Sequence, residues 1–130
     1  MGILIIGIGG AIGATLRYLI GVLVTGLIGR TEVLTGTVIS NLTGCFLAGL
    51  TLASIQVNIA TSDEVIMFLT VGVLGSLTTF SAFALEVHQL FEEKKTGALL
   101  FYLLLQIVMA FLMFVFGYEL AIRILNSGGI

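Results

Sequence analysis

The residues best placed to do chemistry lie together in the stretch Gly72-Val73-Leu74-Gly75-Ser76-Leu77-Thr78-Thr79-Phe80-Ser81-Ala82-Phe83. It interrupts a long apolar segment with two glycines, a run of hydroxyls and two phenylalanines three residues apart. Glycine reaches backbone angles closed to other residues, and hydroxyls offer hydrogen bonds that compete with a helical ladder. In lipid, such irregular backbone persists only against protein or a water-filled cavity. The pattern predicts a helix broken near its middle, with carbonyl and N–H groups turned toward something small.

Other polar residues stand inside apolar runs. Asn41 brings two N–H donors to bilayer depth, where protein, water or a permeating ion must satisfy them; interhelical bonding and a pore role both fit. Thr37, Asn41 and Gly44 recur at i, i+4 and i+7, near one face of a helix. Arg17 is deep in the first apolar run, where a charge costs about 2.5–3.5 kcal/mol even on the lenient insertion scale. Either its stem snorkels to an interface, or it faces protein or water and gives an anion a positive field. With no acidic partner in its own helix, the second reading is favoured. Phe80 and Phe83 share a helical face, and a phenyl ring has a positive edge and a negative face. Edge-on rings would line a route for an anion and face-on rings would suit a cation. Glu86 reads as a vestibule group or an interfacial carboxylate. Tyr102 and Gln106, four apart, can face the same side. The chain holds no nucleophile–base pair, metal-ligand cluster or phosphate loop, so it reads as no enzyme.

These residues need helices to position them. Hydrophobic residues make up 58% of the chain and charged ones 9%, without proline or tryptophan. The mean hydropathy of +1.23 leaves too little polar surface for a soluble rim. A spanning helix takes about 20 mostly apolar residues, and four segments qualify: about 2–28, 33–60, 65–90 and 97–124. Their connections are Gly29-Arg30-Thr31-Glu32, Thr61-Ser62-Asp63-Glu64 and Glu92-Glu93-Lys94-Lys95-Thr96. The expectation is one all-α integral membrane domain over residues 1–130, retaining its first span rather than losing it as a signal. Arg30, Lys94 and Lys95 oppose Arg123 across the membrane, a slight bias toward termini outside. A net charge of -2 gives no reason to expect nucleic acid. Cys45 is the lone cysteine and reads as a small packing residue.

The opening Gly7-Ile8-Gly9-Gly10-Ala11-Ile12-Gly13 imitates a dinucleotide-binding turn. That turn needs a βαβ unit and an acidic residue about 20 positions on, whereas the next acid is Glu32, beyond a whole apolar span. Gly9 and Gly13 read instead as a small-xxx-small packing pair.

Three blocks carry a family likeness: Gly13-Ala14-Thr15-Leu16-Arg17-Tyr18, Gly36-Thr37 through Asn41 and Gly44, and Gly72 to Phe83 with Glu86. On these the chain resembles the Fluc (CrcB) fluoride channels along its whole length. The resemblance implies an antiparallel, dual-topology homodimer in the lipid bilayer, with two fluoride pores. It implies multi-pass placement in a cell membrane, the cytoplasmic membrane of a prokaryote. It further implies a structural sodium ion at the dimer centre, held by backbone carbonyls of Gly75 and Thr78 from each copy. Phe80 and Phe83 are implied in the fluoride path with ring edges toward the ion, Asn41 as an amide donor, and Thr79 and Ser81 as nearby hydroxyls. Arg17 is implied in an electropositive vestibule, Glu86 as the acid that follows the phenylalanines, and Tyr102 and Gln106 as pore support. Ala82, Ala110 and Phe114 depart from the resemblance, which expects polar residues there.

The function expected is passive, selective export of fluoride. A proton-coupled small multidrug-type transporter, also four-spanning, is the alternative; it needs a membrane carboxylate for exchange, and the first span offers Arg17 and no acid.

Overall fold

The computed structural model describes residues 2–57 and 62–127, and among them every regular element is helical. Four helices are long and apolar enough to cross a membrane: Gly2–Ile28, Gly36–Gln56, Asp63–Glu92 and Thr96–Ser127. The first two are α1 (Gly2–Ile28) and α2 (Gly36–Gln56). The third starts as α3 (Asp63–Met67), widens into π-helix over Phe68–Leu74, makes one turn, α4 (Gly75–Leu77), and resumes as α5 (Phe80–Glu92). The fourth is α6 (Thr96–Leu103), a second π-helical stretch Leu104–Met109, and α7 (Ala110–Ser127).

Local chemistry moves the ends from where hydropathy puts them. The second span starts at Gly36 rather than near residue 33, because Thr35 is extended and its hydroxyl accepts the Val38 N–H. It ends at Gln56, and residues 58–61, which hydropathy assigns partly to that span, lie outside the described residues. The third starts earlier than expected, since Ser62 caps it and Asp63 and Glu64 fill its first turn, where the helix dipole favours acids. The fourth runs from Thr96 through Ser127. Between α1 and α2, Gly29 takes φ +73 and gives its N–H to Thr25, the left-handed stop common at helix ends. Between α5 and α6, Lys94 adopts φ 56, and Lys95 binds both Glu32 and Glu93 at 2.6 Å. That pairing brings the first and third connections to the same end of the molecule.

The large apolar side chains point outward: Ile3, Leu23, Leu85, Phe101 and Phe111 are all exposed. A membrane protein needs this arrangement, since lipid is as apolar as a leucine core. Inside, the helices touch through glycine. A Cβ on Gly13 would lie 2.2 Å from the Val73 carbonyl oxygen, and one on Gly9 2.7 Å from that of Phe68, so α1 rests directly on the π-helical backbone. Gly49 and Gly117 bring α2 and α7 equally close, since a Cβ on either would lie 2.1 or 2.2 Å from an opposing carbonyl oxygen. A small buried cluster of Val38, Leu90 and Tyr102 sits beside the site, with Phe83, Leu42 and Leu105 packed on it.

Candidate functional site

The site begins where the third span leaves helical geometry. Thr78 has φ -82, ψ 153 and Thr79 has φ -149, ψ 121, both extended, between the last residue of α4 and the first of α5. Side chains hold the backbone there. Asn41 Oδ1 accepts the Thr79 N–H at 2.8 Å while Asn41 Nδ2 donates to the Thr79 carbonyl at 3.2 Å. Thr79 Oγ1 accepts the Ala82 N–H at 3.3 Å and caps α5. In an unbroken helix each N–H bonds the carbonyl four residues earlier, so these two donors would close on Gly75 and Thr78. Asn41 and Thr79 divert both. Gly44 makes the approach of α2 feasible, since a Cβ there would lie 2.3 Å from Thr78 Cγ2.

A cavity of about 270 Å³ opens on this corner, lined by Asn41, Thr78, Thr79, Phe80, Phe83 and Gln106, with Cys45, Ile107 and Ala110. Six residues picked out from sequence therefore share one wall. Phe80 and Phe83 are 5.2 Å apart and tilted by 48°. Phe83 stacks on Tyr102 at 5.8 Å and 9°, which covers one face of its ring. On the other side of Thr78, a cavity of about 330 Å³ is lined by Gly44, Cys45, Thr70, Leu74, Gly75 and Thr78 among others. Thr78 thus stands between two cavities, and Gly75 reaches only the second.

From Asn41 a line of hydrogen bonds crosses the helices. Asn41 Nδ2 donates to Gln106 Oε1 at 2.9 Å, Gln106 Nε2 to the Tyr102 hydroxyl at 3.0 Å, and that hydroxyl to Glu86 Oε2 at 2.7 Å. Glu86 also accepts from Thr35 at 2.7 Å and from Thr37. The partly buried carboxylate is thereby met by three hydroxyl donors, which offset the cost of removing it from water.

The CrcB-like protein family, Camphor Resistance (CrcB), matches residues 4–118 of the chain. The chain belongs to the CrcB family. Named relatives agree. "Fluoride-specific ion channel FluC" of Agrobacterium fabrum is 40% identical over 108 residues, 83% of this chain and 86% of the relative. The protein of that name from Thermus thermophilus is 40% identical over 121 residues, covering 90% and 92%. "Fluoride-specific ion channel FluC 1" of a Staphylococcus aureus strain is 39% identical over 113 residues, covering 87% and 90%. These CrcB relatives are named as channels, not enzymes, and this chain is likewise a multi-pass membrane protein.

Not every residue picked out from sequence joins the corner. Within this CrcB chain Arg17 lines a separate cavity of about 630 Å³ with Tyr18, Thr25 and Thr37, and Thr37 also donates to Glu86. Glu86 lines a fourth cavity of about 330 Å³ with Thr35, Arg30 and Lys95. Ser81 is exposed and touches the site through Thr79 Oγ1 at 3.1 Å. Thr35 and the pairing of Thr37 with Glu86 escape sequence reading; the available signal is that a carboxylate inside lipid must recruit donors from neighbouring helices.

Proposed function

We propose that this chain is a passive, fluoride-selective channel that lowers the fluoride of its cell. The observation that carries the reading is the lining of the Asn41 cavity, where amide and hydroxyl groups and two aromatic rings meet with no acidic side chain. Such a wall suits a small anion, and a proton-coupled cation exchanger would need a carboxylate on it. The names of the FluC relatives select fluoride among anions. Fluoride holds its water tightly, so passage requires donors that replace hydration without trapping the ion. Asn41, Thr79 and Ser81 supply such donors along the rims of Phe80 and Phe83. Arg17 supplies positive potential at one approach, and Tyr102 and Gln106 support the wall. Export follows from weak-acid chemistry: neutral HF crosses the membrane, ionises inside, and the anion leaves through the channel.

The break in the third span has a second role in this reading. The N–H groups diverted by Asn41 and Thr79 are those that would occupy the carbonyls of Gly75 and Thr78 in a continuous helix. Hard cations take oxygen ligands, and unwound membrane backbone offers them; these two carbonyls fit a sodium ion. One copy offers two carbonyls and Gly75 is exposed, so the fit improves when a second, inverted copy adds its own pair. The assembly proposed is an antiparallel homodimer with two pores and a structural sodium on its axis. When bound, the ion supplies charge that holds the carbonyl dipoles together.

Liposomes containing the purified chain and loaded with fluoride test this. Fluoride leaves rapidly once a potassium ionophore clamps the voltage, and a pH gradient alone releases none. Absence of efflux, or efflux strictly coupled to protons, would overturn the reading.

A further inference from the structure

We infer that Gln106 is a stand-in ligand, an internal acceptor that competes with the permeating anion for the Asn41 amide. The inference rests on the channel reading above. Its starting point is the Thr79 backbone N–H, a donor that cannot be reassigned. Because this N–H points at Asn41 at 2.8 Å, the atom receiving it is Oδ1. The other end of the amide, Nδ2, then faces both the Thr79 carbonyl and Gln106. Nδ2 carries two hydrogens, so both are engaged. Gln106 must turn its carbonyl oxygen to Asn41, and its own Nε2 to Tyr102. The Tyr102 hydroxyl, having accepted, donates to Glu86. One backbone N–H therefore fixes the polarity of the line, which donates from Asn41 through Gln106 and Tyr102 to Glu86.

In this arrangement the Asn41 amide has no spare hydrogen for an anion in the cavity. Fluoride is an acceptor, as Gln106 Oε1 is, and both reach Asn41 from the cavity that Gln106 itself lines. The Thr79 carbonyl cannot yield its place without moving the backbone, whereas Gln106 needs only to turn side-chain torsions. Gln106 also sits inside the π-helical stretch Leu104–Met109, a departure from α geometry frequent at functional sites. Gln106 moves aside as the ion arrives and re-forms its bond as the ion leaves. The exchange of one acceptor for another keeps the ion from being held too firmly, the balance that conduction requires.

The test is fluoride flux against fluoride concentration in liposomes, for the unsubstituted chain, Gln106→Met and Gln106→Ser. Methionine keeps the volume without a strong acceptor, and serine is too short to reach Asn41, so one variant serves if the other fails to fold. A net hydrogen bond of ordinary strength predicts a half-saturating concentration about threefold to tenfold lower in the variants, with a lower maximal rate because the ion leaves more slowly. A merely structural role would lower the maximal rate without tightening binding. A half-saturating concentration that is unchanged or raised, while the unsubstituted chain conducts, overturns this inference alone. No fluoride flux in the unsubstituted chain overturns the channel reading and this inference with it.

Discussion

Asn41 Oδ1 holds the Thr79 N–H at 2.8 Å, so a side chain of the second span replaces the carbonyl of Gly75 as that donor's partner. The extended backbone at Thr78 and Thr79 is thus a tertiary feature, set by a residue 38 positions away in sequence. Replacing Asn41 by alanine leaves the Thr79 N–H and carbonyl without their partner, at about 1–3 kcal/mol for a buried unsatisfied group. The thermal midpoint of the detergent-solubilised protein falls accordingly, and fluoride flux falls with it. An unchanged midpoint would mean that Asn41 does not hold this corner.

Glycine substitutions separate contact from mere flexibility. Gly13→Ala puts a methyl 2.2 Å from the Val73 carbonyl, and Gly117→Ala does so against Phe46. Neither opposing atom is a flexible side-chain end, so the helices must part. Overpacking of this kind costs about 1–3 kcal/mol. By contrast, a methyl on Gly97 in the first turn of α6 meets nothing within 4 Å, and Gly97→Ala gains up to about 1 kcal/mol of helix propensity. Thermal midpoints in one detergent check the contrast; equal effects at Gly13 and Gly97 would contradict it.

The connecting loops carry a pH signature. Hydrogen bonds from Glu32, then Glu93, raise the Lys95 ammonium to about 12. A cation whose folded pKa lies above its unfolded value stabilises the fold fully below the unfolded value, and that contribution is lost as pH rises through about 12. Lys95 and both carboxylates are open to solvent over a third or more of their side-chain surface, so salt screens these pairs strongly. Lys95→Gln is expected to lower the midpoint slightly at pH 7 in low salt and not in molar salt. A difference that persists in molar salt would show that Lys95 acts through packing instead.

How far the sequence reached can be judged from particular residues. The four spans were legible because Arg30 and Glu32, or Lys94 and Lys95, cannot stay in lipid, and hydropathy alone finds such gaps. Helix ends were less so, since Thr35 and Ser62 act through cap hydrogen bonds that hydropathy does not register. The corner was located because glycines, hydroxyls and aromatics are conspicuous among Leu and Val. Its partners were only partly legible. Tyr102 and Gln106 share a helix and so show their spacing, but Thr37 and Glu86 are 49 residues apart and meet only in the fold. The π-helical stretches Phe68–Leu74 and Leu104–Met109 left no readable mark, because a widened turn depends on what packs against it.

Ring geometry yields a further expectation. Phe83 stacks on Tyr102 and tilts against Phe80, and isoleucine at either position keeps an apolar wall without an aromatic rim. Losing about 1.4 kcal/mol of stabilisation at the flux-limiting position is a tenfold fall, so fluoride flux drops by about that factor or more in Phe80→Ile and Phe83→Ile. Size-exclusion profiles stay unchanged. Unaltered flux in both variants would remove the rings from the path.

The central claim is passive conduction selective for fluoride, and the reversal potential tests it most directly. In a planar bilayer holding the purified chain, one sets a fluoride gradient with chloride as the balancing anion. The account predicts a current that reverses at the fluoride equilibrium potential and does not shift when a pH gradient is added. Reversal near zero, at the chloride potential, or at a value that follows pH would contradict it.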